Sequence, residues 1–428
     1  MAISNGITGV ATIVNANPDA VLDTTGFADL DASKLVITLA ENLKPLPNPE
    51  TLVFGQTKTD HMLTVEFDPA KGGWCTPHIR PYAPLELDPM ASCFQYCPNI
   101  FEGMKAYIGP DGEPRLFRPS LNMARMANSA ERVALPPFNT AALLELIKAL
   151  VRVEKRWIPA GEGYSLYIRP TLIGTRDALG VTASDKALLY AVLTPVGPYF
   201  RKSAGGGGMK GISLLAVSET VRSWPGGTGA YKLGLNYAPG FKPQQEALKK
   251  GYQQILWLLE ENGSPRITEV GAMNVFCVVK SETDENAVEL VTPPLDGTIL
   301  PGLTRASVLE LARAHSSYSS SSSSSASSSS TPAASPLPLP KSLKITTAER
   351  PVFMTDIVAW ARSGRLLEVF GVGTAVVVAP VGKIGFEGVD YDLPHHEGGL
   401  GLVGKAMNET IQGIQTGVVD WQGWCVKV

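Results

Sequence analysis

Lys232 lies in the run Gly226-Gly227-Thr228-Gly229-Ala230-Tyr231-Lys232-Leu233-Gly234-Leu235-Asn236-Tyr237, with glycines on both sides and a tyrosine five positions later. Glycine lacks a Cβ, so a ligand or a second backbone can approach closely and unusual dihedrals cost little. An amine in such surroundings loses hydration. Its pKa falls and it becomes a nucleophile toward carbonyl carbon. Schiff-base formation is therefore the candidate chemistry of this segment. Taken alone, the run reads equally as a surface lysine in a flexible glycine loop.

Further segments carry groups of complementary type. The run 268–276 sets Glu269 at the mouth of a strand. The small-residue loop 371–375 ends in the hydroxyl of Thr374 and enters a strand over 376–378. Leu300-Pro301-Gly302-Leu303-Thr304 opens a helix, and the free N–H groups of a helix start bind phosphate. Arg118 and Arg125 stand near another helix start.

These groups need elements to position them. Alternation of apolar and polar residues predicts a strand over 61–67, and 101–117 reads as two strands about the turn Gly109-Pro110-Asp111-Gly112. Helical spacing predicts helices over 122–134 and 140–157; in the second, Leu143, Leu146, Ile147, Leu150, Val153 and Trp157 share a face. Apolar runs at 165–172 and 186–194 read as strands. Proline and four consecutive glycines over 195–208 mark a linker. Beyond it come strands at 212–217, 255–259 and 273–279, and helices at 243–250 and 303–314. The expected division is an extended arm over 1–45, an N-terminal domain over 46–195, a linker over 196–208 and a C-terminal domain over 209–428. Thirteen of the fifteen residues 316–330 are serine. Such a stretch cannot bury enough apolar surface to offset chain entropy, so 316–340 is expected to be a disordered insertion.

Composition excludes several classes. The 428 residues are 44% hydrophobic and 18% charged with a net charge of −3, which suits a globular protein and not a nucleic-acid binder. No apolar run approaches the roughly 18 residues that span a bilayer, so no membrane partner is expected. Five cysteines, Cys75, Cys93, Cys97, Cys277 and Cys425, form no disulfide framework, and a reducing compartment is the simpler inference. No Lys or Arg precedes Lys34, while Asp19, Asp23, Asp29 and Asp31 do precede it or stand close by. An Arg-rich mitochondrial presequence is not expected, which favours a cytoplasmic location. Neither Cys93/Cys97 nor His395-His396 has the spacing of a metal site, so no metal is expected.

Together, Phe101-Glu102-Gly103-Met104-Lys105-Ala106-Tyr107, Tyr167-Ile168-Arg169-Pro170-Thr171 and the lysine run closely resemble the branched-chain amino-acid aminotransferases of fold type IV. The resemblance implies a two-domain α/β (α+β) fold, with a smaller N-terminal domain and a larger C-terminal domain built on a barrel-like sheet. It implies pyridoxal 5'-phosphate as cofactor, held by Lys232 as a Schiff base. It implies that Glu269 faces the pyridine nitrogen, that Tyr237 bonds the 3'-oxygen, and that Arg125, Leu303, Thr304 and Thr374 form the phosphate cup. On the substrate side Tyr96, Phe101, Tyr167 and Tyr199 match an aromatic pocket. Arg169 matches an arginine for a distal carboxylate, and Ala272 and Ala375 match groups that hold the α-carboxylate. Leu179 and Val181 match a loop that reaches into a neighbouring subunit, which implies a homodimer. The implied reaction is reversible transamination of leucine, isoleucine or valine with 2-oxoglutarate. A specialised donor, a D-amino-acid aminotransferase and a silent relative are the competing readings. The sequence departs from the family at Ala272, where many relatives have threonine, at Val376 and Ala379, where mammalian relatives carry a Cys-x-x-Cys pair, and in the serine-rich insertion.

Overall fold

The computed structural model describes residues 26–198, 211–320 and 335–428. Most of the expected arm, Tyr199 with most of the expected linker, and the centre of the serine-rich insertion lie outside the described residues.

The first sheet runs in the order Val36–Ile37, His78–Pro81, His61–Asp68, Ala187–Val196, Ser165–Gly174, Met104–Ile108, Pro114–Phe117 and Cys425–Lys427. Asn99–Phe101 pairs beside Ser165–Gly174. The period-two reading of the strand at 61 is realised: Leu63, Val65 and Phe67 are buried while Glu66 faces solvent. Ser165–Gly174 is central and buried almost throughout. In its register Lys105 stands opposite Tyr167, and Tyr167 opposite Thr194. Opposed residues share a face, so these side chains line one surface of the sheet.

Helices Pro119–Arg132 and Thr140–Val153 pack on this sheet's other side, through Met123, Met126, Leu143, Leu146, Ile147 and Leu150. Asn139 caps the second helix by accepting the Ala142 N–H. The helix predicted over 140–157 stops at Val153, and Trp157 belongs to a separate 3-10 turn, Lys155–Trp157. The helix predicted to start at 122 starts at Pro119, after Arg118 in a left-handed conformation (φ 46°). Proline suits a first helical position because the N–H it lacks has no partner there.

The second sheet runs Ser264–Val270, Gln254–Glu261, Ile212–Val217, Val377–Phe386, Leu366–Gly373, Asn274–Lys280, Ala287–Thr292 and Lys344–Glu349. Both faces are covered. Phe276 and Val278 join one core with helices Leu303–Ser320 and Leu402–Thr416, while Val275, Cys277 and Val279 join another with helix Met354–Arg362. A strand buried on both faces reads as a continuous apolar run, as 275–279 does.

At the two ends of the stretch 316–340, where disorder is expected, the described residues are ordered. The helix predicted to end near Ala314 continues to Ser320. Ser317 and Ser320 turn their hydroxyls back onto the carbonyls four residues earlier, which satisfies them without solvent. Ser335 bonds Nδ1 of the fully buried His315 at 2.8 Å, and Leu337 is 3% exposed in the core. The last strand, Cys425–Lys427, leaves the second sheet and pairs with Pro114–Phe117 of the first.

Candidate active site

The glycine run is a fixed loop, not a free one. Asn236 bonds Thr228 and Tyr231 with its side chain and closes it. The Lys232 N–H donates to Ser129 Oγ at 2.9 Å, and its carbonyl accepts the Phe101 N–H at 3.1 Å. A Cβ at Gly229 would stand 2.2 Å from Ser223 Oγ and 2.4 Å from the Thr298 carbonyl, so only glycine lets the loop lie this close. Lys232 Nζ donates to Tyr237 Oη at 3.3 Å and lies 5.0 Å from the centre of the Phe101 ring. Burial first, then the charge of Arg125, lower its pKa from 10.5 to about 8. Burial pushes Tyr237 up to about 12, so its hydroxyl keeps its proton at neutral pH.

Glu269 is the penultimate residue of the strand Ser264–Val270 and is 2% exposed. Its Oε1 accepts from the Leu300 N–H at 3.0 Å and from Asn274 Nδ2 at 3.1 Å. Among the described residues its Oε2 has no hydrogen-bond donor, although Arg222 Nε stands 2.6 Å away without the alignment of a bond. Burial raises the Glu269 pKa, and Arg222 and the Leu300 N–H oppose the rise.

Arg125 is held by Glu102, with Nε and Nη2 on the two carboxylate oxygens at 2.7 and 2.9 Å, and by the Pro301 carbonyl at 3.1 Å. Burial works against both charges. The Glu102 carboxylate nonetheless lifts Arg125, and Arg125 keeps Glu102 below the usual glutamate range. Asn122 also donates to Glu102 at 2.8 Å. Leu303, Thr304 and Thr374 line one small cleft with Gly103 and Lys105. The first intrahelical bond after Gly302 is Ala306 N–H to the Gly302 carbonyl, which leaves earlier N–H groups for a ligand. Lys105, 8% exposed, donates Nζ to the Ala375 carbonyl at 2.7 Å. It thereby ties the turn 374–376 to the first sheet.

Phe101, Tyr167 and Arg169 form a second wall. The Arg169 guanidinium lies 4.5 Å over the Phe101 ring and donates to Tyr167 Oη at 2.9 Å, while its buried Nε has no partner among the described residues. Phe101 and Tyr237 rings are 5.1 Å apart. The structure thus brings Lys232, Tyr237, Glu269, Arg125, Phe101, Tyr167 and Arg169 together. Ala272 lies exposed in the turn after Val270. Tyr96, 40% exposed, joins the loop of Leu179 and Val181 instead: its hydroxyl accepts the Gly180 N–H at 3.0 Å. Tyr199 lies outside the described residues.

Several residues of the site were not singled out by type and spacing. Glu102 sits inside a quoted motif, but nothing in the chain's order marks it as the partner of Arg125. Phe54 packs edge-on against Tyr167 at 4.8 Å. Arg222 and Asn274 reach Glu269 only through the fold. Among the described residues no group of three His, Cys, Asp or Glu is placed to hold a metal, and no helix is long and apolar enough to cross a membrane.

A lysine, a carboxylate and a guanidinium around one aromatic-walled space, between two sheets of this topology, define a fold-type IV enzyme. Residues 99–320 match the family described as amino-transferase class IV, and the chain belongs to that family. Solved structures of branched-chain aminotransferases share the fold. That from Thermoproteus uzoniensis, with norvaline, has a TM-score of 0.61 at 20% identity and covers 86% of this chain and 99% of its own. That from Thermobaculum terrenum in its PLP form also scores 0.61 at 18% identity, covering 87% of this chain and 99% of its own.

Within the class the chain belongs with the branched-chain-amino-acid aminotransferases. The mitochondrial enzyme of Saccharomyces cerevisiae is 46% identical over 94% of both chains. The cytosolic one is 44% identical over 93% of this chain and 97% of its own. Relatives thus occupy both compartments. The family's cofactor is pyridoxal 5'-phosphate, and the residues present fit it. The unbonded Glu269 Oε2 suits a ring N–H, the Lys232 amine suits the aldehyde, and Arg125 with the start of helix Leu303–Ser320 suits a phosphate.

Proposed function

We propose that the protein catalyses reversible amino transfer between branched-chain L-amino acids (leucine, isoleucine, valine) and 2-oxoglutarate. The observation that carries this reading is one wall holding both the Phe101 and Tyr167 rings and the Arg169 guanidinium with an unpaired Nε. The rings suit an aliphatic chain, worth about 1.5–3 kcal/mol when buried, and the guanidinium suits a distal carboxylate.

Bound at Lys232, the cofactor supplies a carbonyl for the amino group and an electron-accepting ring. The chain's own residues do the rest. Lys232, with an amine pKa of about 8, takes and returns the proton at the substrate's α-carbon. Tyr237 holds its proton beside that amine. Glu269 would face the ring nitrogen. Arg125, Leu303, Thr304 and Thr374 would hold the phosphate, with Arg125 aimed by Glu102. Lys105 fixes the turn of Ala375, whose N–H groups and those near Ala272 meet the α-carboxylate.

Tyr96, Leu179 and Val181 serve the neighbouring subunit's pocket in a homodimer. An exposed apolar set of Leu179 (58%), Val181 (78%) and Phe94 (59%) supports an interface there. The expected compartment is the cytoplasm, and the expected division of the chain is the linker 196–208.

With pyridoxal 5'-phosphate the protein should absorb visible light and lose that absorption when L-leucine is added. Lys232→Ala should abolish transamination and leave the fold intact. A donor panel against 2-oxoglutarate decides the substrate: turnover of D-alanine in preference to leucine, or a colourless protein that takes up no cofactor, would defeat the reading.

A further inference from the structure

Arg222 has no part in the roles above, yet it is the closest charge to Glu269. It stands ten residues before Lys232 in the chain, and only 9% of its side chain is exposed. Its Nη1 donates to the Thr298 carbonyl at 3.2 Å. Thr298 is itself pinned, with its N–H and hydroxyl on Asp296 Oδ1 at 3.0 and 2.6 Å. The guanidinium is therefore fixed with Nε 2.6 Å from Glu269 Oε2.

We infer that Arg222 is a positioning residue that keeps Glu269 ionised while leaving its Oε2 free to accept the ring N–H of the cofactor; this rests on the reading that pyridoxal phosphate binds here. A carboxylate 2% exposed would otherwise take up a proton, because burial disfavours its charge. The other charged groups that face Glu269 are Lys232 and Arg125, with Tyr237 also within its field. Arg125 is spent on Glu102, and Lys232 loses its free ammonium once it bonds the cofactor. Among the described residues, Arg222 is thus the cation facing Glu269 that is neither paired with another carboxylate nor consumed by the cofactor. Its N–H is not aligned with Oε2, so it supplies positive potential without occupying the acceptor. A neutral Glu269 would share its own proton with the ring nitrogen and leave the ring a weaker electron acceptor.

The test counts protons. Pyridoxal phosphate is titrated calorimetrically into the full-length, cofactor-free protein in buffers of different ionisation enthalpy at neutral pH. Wild type starts with an ionised Glu269, and Arg222→Gln starts with a protonated one. Both end with one proton shared between Glu269 and the ring. The variant should therefore take up about one proton fewer per site, and Arg222→Lys should restore the wild-type count. In a Glu269→Gln background the difference should vanish. Equal counts in wild type and Arg222→Gln, or a difference that survives Glu269→Gln, would overturn the inference. If Arg222→Gln does not fold, infrared difference spectra of wild type against Glu269→Gln, both cofactor-free, still decide: a lost carboxylate band supports the inference, and a lost carboxylic-acid band overturns it. A wild type that binds no cofactor would count against the proposed function instead, and the infrared result would stand apart.

Discussion

Lys232 is placed where its amine is costly to charge. Burial and the Arg125 guanidinium hold its pKa near 8 instead of 10.5. Between those values the unfolded chain binds more protons than the folded one. Stability contributed by this group is thus present above pH 10.5 and is lost as pH falls through about 8; linkage sets that sign. Without cofactor, Lys232→Met should melt at a higher temperature than the parent at pH 7, and the gap should close as pH rises through that window. A gap independent of pH would mean that Lys232 is not a desolvated amine. Glu102 and Arg125 make the opposite case. Each offsets the other's burial, and loss of either would leave a lone buried charge, the costly half of a buried ion pair.

Elements deliver these residues through their ends. Glu269 is the penultimate residue of a strand, Leu303 and Thr304 open a helix, and Asn274 begins the next strand and ties the two together by bonding Glu269 Oε1 and the Leu300 carbonyl. Gly302 fits under Asn274 because it has no Cβ; an added one would stand 2.0 Å from Asn274 Oδ1. Gly302→Ala should therefore displace Asn274 and Glu269 together and weaken cofactor affinity about tenfold, or ~1.4 kcal/mol, measured by titration of the cofactor-free protein. Unchanged affinity would show that this junction does not set the carboxylate. The turn 374–376 is a similar junction. It connects strands Leu366–Gly373 and Val377–Phe386 with Val377 at φ 63°, a left-handed conformation that a β-branched residue seldom adopts. Lys105 reaches across from the first sheet to hold its Ala375 carbonyl.

At the scale of the molecule, the two sheets face each other across the site and share it. Phe101, Tyr167 and Arg169 come from the first; Glu269 and the turn of Thr374 come from the second. The final strand, Cys425–Lys427, adds a hydrogen-bonded tie from the second part of the chain back to the first sheet. Tyr96 bonds the loop of Leu179 and Val181, which is the part of the chain proposed to reach the neighbouring subunit. Val181→Asp should shift sedimentation toward monomer and lower turnover about tenfold, near ~1.4 kcal/mol, with the melting temperature of the cofactor-free chain little changed. A fully active dimer would refute the shared pocket.

The chain's order by itself determined the periodic elements and the glycine-rich setting of Lys232. Leu143 to Leu150 repeat at helical spacing, 275–279 are apolar without a break, and glycines crowd one lysine; each is a local property that neighbours in sequence enforce. Partnership across the fold was settled only by tertiary structure. Glu102 meets Arg125 across 23 positions, Arg222 meets Glu269 across 47, and Lys105 meets Ala375 across 270. Such pairs arise from sheet register and from which elements stack, and no spacing along the chain encodes them. The same holds for the helical start of the serine run, where hydroxyls bonding back to the helix, and His315 gripping Ser335, give order that composition alone does not reveal.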